Sequence, residues 1–201
     1  MNILTEPLPA HVEIGGLLFP INTDFRVGIE FEIITQKNNQ DIAKWFELYF
    51  EPGNYPLHDI EGAVNALMWF YRCGNQPTKE EKPTHNKIPY SFAVDSEVIF
   101  ADFWQYYNID LSQEGLHWWV FRALLFGLPD ESSFKQRVYY RTCDTKGLSK
   151  KEKERIMKIR KTYEIRDDLK EEITLEERNA KMLKYLEKRR EDIKKGGEVN
   201  G

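Results

Sequence analysis

Apolar positions recur with two different periods along this chain. In HVEIGGLLFPI, residues 11–21, they alternate on either side of Gly15-Gly16, a pair suited to the positive φ angles of a tight turn, so the pattern predicts two short strands joined as a hairpin. The next stretch, TDFRVGIEFEII, fits both periods. Phe25, Val27, Ile29, Phe31 and Ile33 alternate as in a strand, while Phe25, Ile29 and Ile33 also stack at helical spacing behind Asp24 as a cap. The helical reading is preferred, because the continuation QDIAKWFELYF places Ile42, Trp45/Phe46 and Tyr49/Phe50 on one helical stripe that ends at Pro52-Gly53.

From there the helical period dominates. HDIEGAVNALMWFYRCG carries Ile60, Val64, Leu67/Met68 and Tyr71 three or four residues apart, with Gly74 as the stop. Residues 75–89 have no apolar periodicity and read as a polar surface loop. SFAVDSEVIFADFWQYYNIDL resumes with Val94, Val98/Ile99, Phe103 and Tyr106/Tyr107 as its apolar stripe, and a further helix is predicted from Ser132 to Arg141, between Pro129 and the turn at Asp144–Gly147. Between them lies LHWWVFRALLFGLP. Ten of the twelve positions from His117 to Leu128 are apolar or glycine. A helix so apolar on nearly every side belongs at the centre of a helical domain, covered all round. Trp118, Trp119 and Phe121 are therefore assigned to the core, and Arg122, one turn on, must find a partner because an unpaired buried charge costs several kcal/mol. Asp95, Glu97, Asp102 and Asp110 are the local carboxylates, and the sequence leaves the choice among them open.

After residue 145 the pattern changes. Two helices are signalled by a hydroxyl followed three residues later by glutamate, Ser149 with Glu152 and Thr174 with Glu177. Their apolar stripes are narrow: Ile156, Ile159 and Tyr163 on the first, and Leu175, Met182, Leu186 and Ile193 on the second. Spacings of seven, four and seven suit a helix that docks on a partner, although Asn179 interrupts the stripe. The predicted fold is thus mainly α: a compact helical domain with a short N-terminal β-hairpin over residues 1–145, and a charged helical C-terminal extension over residues 146–201.

Charge sharpens that division. Residues 1–145 hold 11 Lys and Arg against 20 Asp and Glu, a net of −9, whereas residues 146–195 hold 18 against 12, a net of +6. Such a tail suits an acidic surface, whether this protein's own body, a partner or nucleic acid. Interleaved acids and the lack of aromatic residues among the basic clusters speak against nucleic acid. The longest apolar run is about a dozen residues, short of the ~20 that span a bilayer, and MNILTEPLPAHVEIGG has no signal-peptide pattern. A cytoplasmic protein without membrane attachment is expected. Cys73 and Cys143, with no CxxC, form neither a disulfide framework nor a metal knuckle.

No constellation points to catalysis. His11, His58, His85 and His117 stand singly, without metal-ligand spacing. Glu30 and Glu32 project about 200° apart on a helix and so do not converge; they are expected to be solvated. No phosphate-binding glycine motif occurs. His117 beside Asp110 or Glu114 lacks a nearby nucleophile and is read as a core or interface residue. The expectation is a protein without catalytic residues, cofactor or metal.

The order YNIDL (Tyr107 to Leu111), HWWVFRALLFGLP (His117 to Pro129), then Arg141, resembles the bacteriophage gene-product-fifteen family of the tail-morphogenesis region of long-tailed phages. A hairpin followed by DFR (Asp24 to Arg26), the ALMWFYRCG helix, a polar loop and a helix bearing Asp95 and Ile99 agree with it, over residues 10 to 165. The resemblance implies a small helical phage protein encoded near the tape-measure gene, a position associated with tail assembly chaperones. Its implied partners are the tape-measure protein, other tail assembly proteins and, for self-association, a second copy. Leu175, Met182, Leu186 and Ile193 are the candidate partner-binding residues. Its implied place is the bacterial host cytoplasm during assembly, with absence from the mature virion. The alternative is a minor structural component of the tail, ahead of a nucleic-acid-binding phage protein.

Overall fold

Gly15 and Gly16 take φ values of +58° and +80° and close a hairpin of β1 (His11–Ile14) and β2 (Leu17–Pro20). Positive φ at both central residues is the turn that matches the twist of paired strands, and glycine adopts it without strain. The register pairs Val12 with Phe19 and Ile14 with Leu17. A computed structural model describes residues 2–36, 41–75 and 88–165 of the 201. Among them lie the hairpin and seven helices, as the apolar periods predict: α1 (Phe25–Gln36), α2 (Ile42–Tyr49), α3 (Ile60–Tyr71), α4 (Phe92–Tyr107), α5 (Trp118–Gly127), α6 (Ser133–Thr142) and α7 (Lys150–Thr162). Most of the predicted polar loop and the whole predicted helix bearing Leu175, Met182, Leu186 and Ile193 lie outside the described residues. No described helix is long and apolar enough to cross a membrane.

The chain divides into two compact units. In the first, whose described residues are 2–22 and 41–75, the hairpin lays Val12, Ile14 and Phe19 inward while Leu17 and Leu18 stay exposed. Asp41 caps α2 by accepting from the Lys44 N–H, and Asp59 caps α3 by accepting from the Gly62 N–H. These side chains satisfy amides that the first helical turn leaves without a partner. Ile42, Trp45, Phe46 and Tyr49 of α2, and Ala63, Val64, Leu67 and Phe70 of α3, form the core of this unit. The ring pair Tyr49–Phe70 meets edge-on at 5.9 Å. Helix α3 stops where Cys73 and Gly74 turn to positive φ. Its inward face is rotated from the predicted stripe, since Ala63 and Phe70 are buried and Met68 and Tyr71 are only half-buried.

The second unit, with described residues 23–36 and 88–165, holds the remaining helices. Just ahead of α1 and α5 the chain segments run together: Phe25 N–H donates to Leu116 O at 2.9 Å and Trp118 N–H to Thr23 O at 2.7 Å. These bonds satisfy one orphan amide at the start of each helix. Beside them Arg26 pairs with Asp24 at 3.0 Å and donates to the Leu111 and Glu114 carbonyls at 2.7 and 3.1 Å. The core is aromatic. Phe121 stacks on Phe25 of α1 at 4.8 Å, on Phe103 of α4 at 5.2 Å and on Trp118 at 5.9 Å. Trp118 is 1% exposed and lies so close to Gly28 of α1 that no Cβ fits there. Helix α7 opens with the predicted capping box of Ser149 and Glu152. It docks on α6 through Arg160, which donates to the Tyr140 and Cys143 carbonyls at 2.8 and 2.7 Å.

Candidate interaction surface

Helix α4 carries the polar groups of the second unit on its inner face. The stripe expected inward was Val94, Val98/Ile99, Phe103 and Tyr106/Tyr107. The residues buried are Phe92, Asp95, Ile99, Asp102 and Phe103, while Val94 is 40% exposed. The helix is therefore rotated from the expected orientation. The reason is that Asp95 and Asp102 have partners strong enough to be buried with the apolar residues. Asp102 accepts from the Ser133 and Phe134 N–H groups at 3.2 and 2.7 Å, so a carboxylate of α4 satisfies the amide end of α6.

Asp95 is wholly buried and holds two arginines. Arg141 spans it, Nη1 to Oδ2 at 2.6 Å and Nη2 to Oδ1 at 2.9 Å, and also donates to the Pro89 carbonyl at 3.2 Å and the Tyr163 carbonyl at 2.6 Å. Arg137 adds a bond from Nη1 to Oδ1 at 3.1 Å. Burial pushes the Asp95 carboxyl upward, but the Arg141 bonds, the Ser91 N–H and Arg137 outweigh it and hold the group below the usual aspartate value. This cluster ties α4, α6 and the residues after α7 together. Sequence reading marked Asp95 as one of four carboxylates open to Arg122 and, with Arg141, through the family resemblance, but did not pair the two.

Arg122 itself is half-buried, its guanidinium over the Trp118 ring at 5.6 Å and the Phe126 ring at 5.2 Å. Three of the carboxylates considered for it are bound elsewhere: Asp95 to the two arginines, Asp102 to α6, and Asp110 to the Ser112 N–H and hydroxyl at 2.9 and 2.6 Å. Its charge is felt instead at Tyr90, whose phenol is pushed up by burial and by Glu32, with Arg122 acting in the opposite direction. Glu32, expected to be solvated, is buried and hydrogen-bonded to Tyr90. His117, read as a core or interface residue, is half-buried and caps α5 through Nδ1, which accepts from the Trp119 N–H at 3.1 Å. Trp118, Trp119 and Phe121 lie buried. Helix α5 is not covered all round, however, because Phe126 is exposed.

The outer face of α4 is the opposite of its inner one. Ala93, Val94, Ser96, Glu97, Phe100, Ala101, Trp104 and Gln105 are exposed, with a single charge among them. Trp104 is 53% and Phe100 41% exposed. Val94, Glu97, Ala101 and Trp104 follow at intervals of three, four and three, the spacing of a seam against which another helix lies. The seam runs for about 15 Å along the helix axis at 1.5 Å per residue. Phe100 and Trp104 are the large apolar side chains that this face leaves to solvent, beside Val94 and Ala101. No group of three metal-ligating side chains occurs among the described residues.

The comparisons with known proteins bear on the chain as a whole. No solved structure matches it. A glutamate receptor of Lymnaea stagnalis is 35% identical over 54 residues, which amount to 26% of this chain and 6% of the receptor, so the chain spans only a small fraction of that protein's length. The family of the Bacteriophage Gp15 protein matches residues 4–165, from the hairpin through the Asp95–Arg141 cluster to the end of the described second unit, and this chain is a member of that family.

Proposed function

We infer that this phage protein is a tail assembly factor that holds the tape-measure chain before tail tube polymerises around it and leaves before the tail is complete. The observation that carries the reading is the outer face of α4, with its 3-4-3 seam and exposed Phe100 and Trp104. A tape-measure chain presents long apolar helical faces, and a chaperone for it needs a surface that takes one amphipathic helix without enclosing it. On this reading the protein acts in the host cytoplasm, without catalysis, cofactor or metal, and the positive charge of residues 146–195 supplements the apolar contact. Sequence-marked Leu175, Met182, Leu186 and Ile193 are a second contact in the same scheme.

Co-expression with the tape-measure protein of the same phage tests it. The tape measure is expected to remain soluble and to co-purify, and Phe100→Ser with Trp104→Ser is expected to abolish that while leaving this protein folded. Raising the salt should weaken the charge-borne part and spare the apolar part. An insoluble tape measure, together with a stoichiometric amount of this protein in purified tails, would instead make it a minor structural component.

A further inference from the structure

The seam on α4 does not end in solvent. Val94, its first residue, also lines a cleft of about 180 Å³ whose other walls are Arg137, Arg141, Thr162, Tyr163 and Glu164. Two guanidinium groups there share the one carboxylate of Asp95. Arg141 is buried and spent on Asp95 and two carbonyls. Arg137 is different. Its side chain is 28% exposed, it is oriented by one bond to Asp95 and by the Tyr163 ring 5.4 Å beneath it, and among the described residues its Nε and Nη2 meet no acceptor. A part-exposed guanidinium held from one side is preorganised for a planar oxyanion and above all for a carboxylate.

We propose that the α4 seam and the Arg137 cleft form one binding surface for an amphipathic helix of a partner protein, with Arg137 taking an Asp or Glu of that helix. The order of groups fixes the partner's pattern. Small or apolar residues lie over Phe100 and Trp104, a Lys or Arg lies opposite Glu97, and the carboxylate follows opposite Val94, about ten helical residues from the Trp104 contact at 1.5 Å rise. The proposal rests on the reading of α4 as a docking face and adds what that face selects.

Overlapping 20-residue peptides covering the tail-region proteins of the encoding phage, tape measure included, would be titrated against the full-length protein, with binding read from tryptophan fluorescence and from anisotropy of the labelled peptide. Peptides that bind are expected to carry an Asp or Glu about ten residues from their apolar anchor. Arg137→Gln should weaken them about tenfold, the worth of a charge-assisted hydrogen bond, and should have no effect on a peptide whose acid is already Gln. A melting temperature for Arg137→Gln equal to wild type separates lost binding from lost fold, and Trp104→Ser should remove binding of both peptides. If the bound peptides come from a protein other than the tape measure, the chaperone reading fails and this inference stands. Peptides that bind as tightly with the acid changed to Gln as with it intact, insensitivity to Arg137→Gln, binding by none of them, or Trp104-dependent self-association in its place would each overturn it.

Discussion

Gly28→Ala is a severe test of how the second unit is built. In an exposed helix this change stabilises by about 1 kcal/mol through propensity alone. Here a Cβ would overlap Cε3 and Cδ2 of Trp118 and approach its Cζ3 to 2.8 Å. The indole has nowhere to move: it is 1% exposed and flanked by Phe92 at 6.3 Å and Phe121 at 5.9 Å between ring centroids. Overpacking of this kind costs about 1–3 kcal/mol and sometimes more. Three ring atoms against one Cβ put the cost at the upper end, so after the propensity gain a net loss of about 2 kcal/mol is expected. For a chain of this length that lowers the melting temperature by roughly 4–8 °C. Urea denaturation followed by far-ultraviolet circular dichroism and by tryptophan fluorescence would measure it. The same substitution in a Trp118→Leu background should cost much less, giving a coupling of at least about 1 kcal/mol. If Gly28→Ala raises stability in the wild-type background by its helix-propensity gain, Trp118 does not lie on α1 and the account of this core is wrong.

The other expectations follow from the same core and its polar clamps. Trp118→Ala, or Phe121→Ala, should destabilise the protein by about 3–5 kcal/mol, whereas Trp104→Ala should stay within about 0.5 kcal/mol of wild type; equal losses at Trp104 and Trp118 would contradict the separation of inner and outer tryptophans. Arg141→Leu leaves Asp95 buried with only Arg137 and the Ser91 N–H, and should cost about 3–5 kcal/mol, measured by the same denaturation; a loss below about 1 kcal/mol would deny the cluster its structural role. Because Asp95 sits below its ordinary value in the fold, its stabilisation is complete above the unfolded value near pH 4 and is lost as pH falls through the folded one. Acid unfolding of wild type should therefore begin below about pH 4, and of Arg141→Leu at a higher pH; identical acid midpoints would rule out Asp95 as the group concerned.

Local signals carried most of the fold. The Gly15-Gly16 turn, the capping box at Ser149 and Glu152, the helical period of α2 and the Pro129 and Asp144–Gly147 bounds of α6 depend on neighbours in sequence, and each element lies where its signal places it. The alternation in FRVGIEF meant nothing, because the buried set of α1 is Phe25, Val27, Gly28, Phe31 and Glu32, a helical spacing that includes a glycine and a glutamate no hydrophobic stripe would contain. Helix α4 was misoriented for the same reason. Asp95 and Asp102 face inward only because Arg141, 46 residues on, and the amide of Phe134, 32 residues on, wait for them. Nothing local announces such pairs. Nor does composition separate Trp118, which is core, from Trp104, which faces out on a helix that reads equally apolar.

This bears on what family likeness can say about function. Several residues that carry the resemblance are engaged in holding the second unit: Arg26, paired with Asp24, on the 111–114 turn, Tyr107 on the Leu124 carbonyl at 2.8 Å, His117 at the head of α5, Asp95 with Arg141. Phe100, Trp104 and Arg137, which face outward, are not among them. Membership in the family therefore vouches for an architecture, and a partner must be read from groups that the architecture leaves unused. On α4 those groups are Val94, Phe100, Ala101 and Trp104 beside the single charge of Glu97, and Val94 also borders the cleft of Arg137, a cation that one carboxylate and one ring hold in place. Such an arrangement discriminates among helices by charge order as well as by apolar area, and area alone would bind any amphipathic helix of the host. On the proposed reading, a protein that must find one long phage chain among many amphipathic helices needs that second criterion, and Arg137 and Glu97, of opposite sign, would supply it.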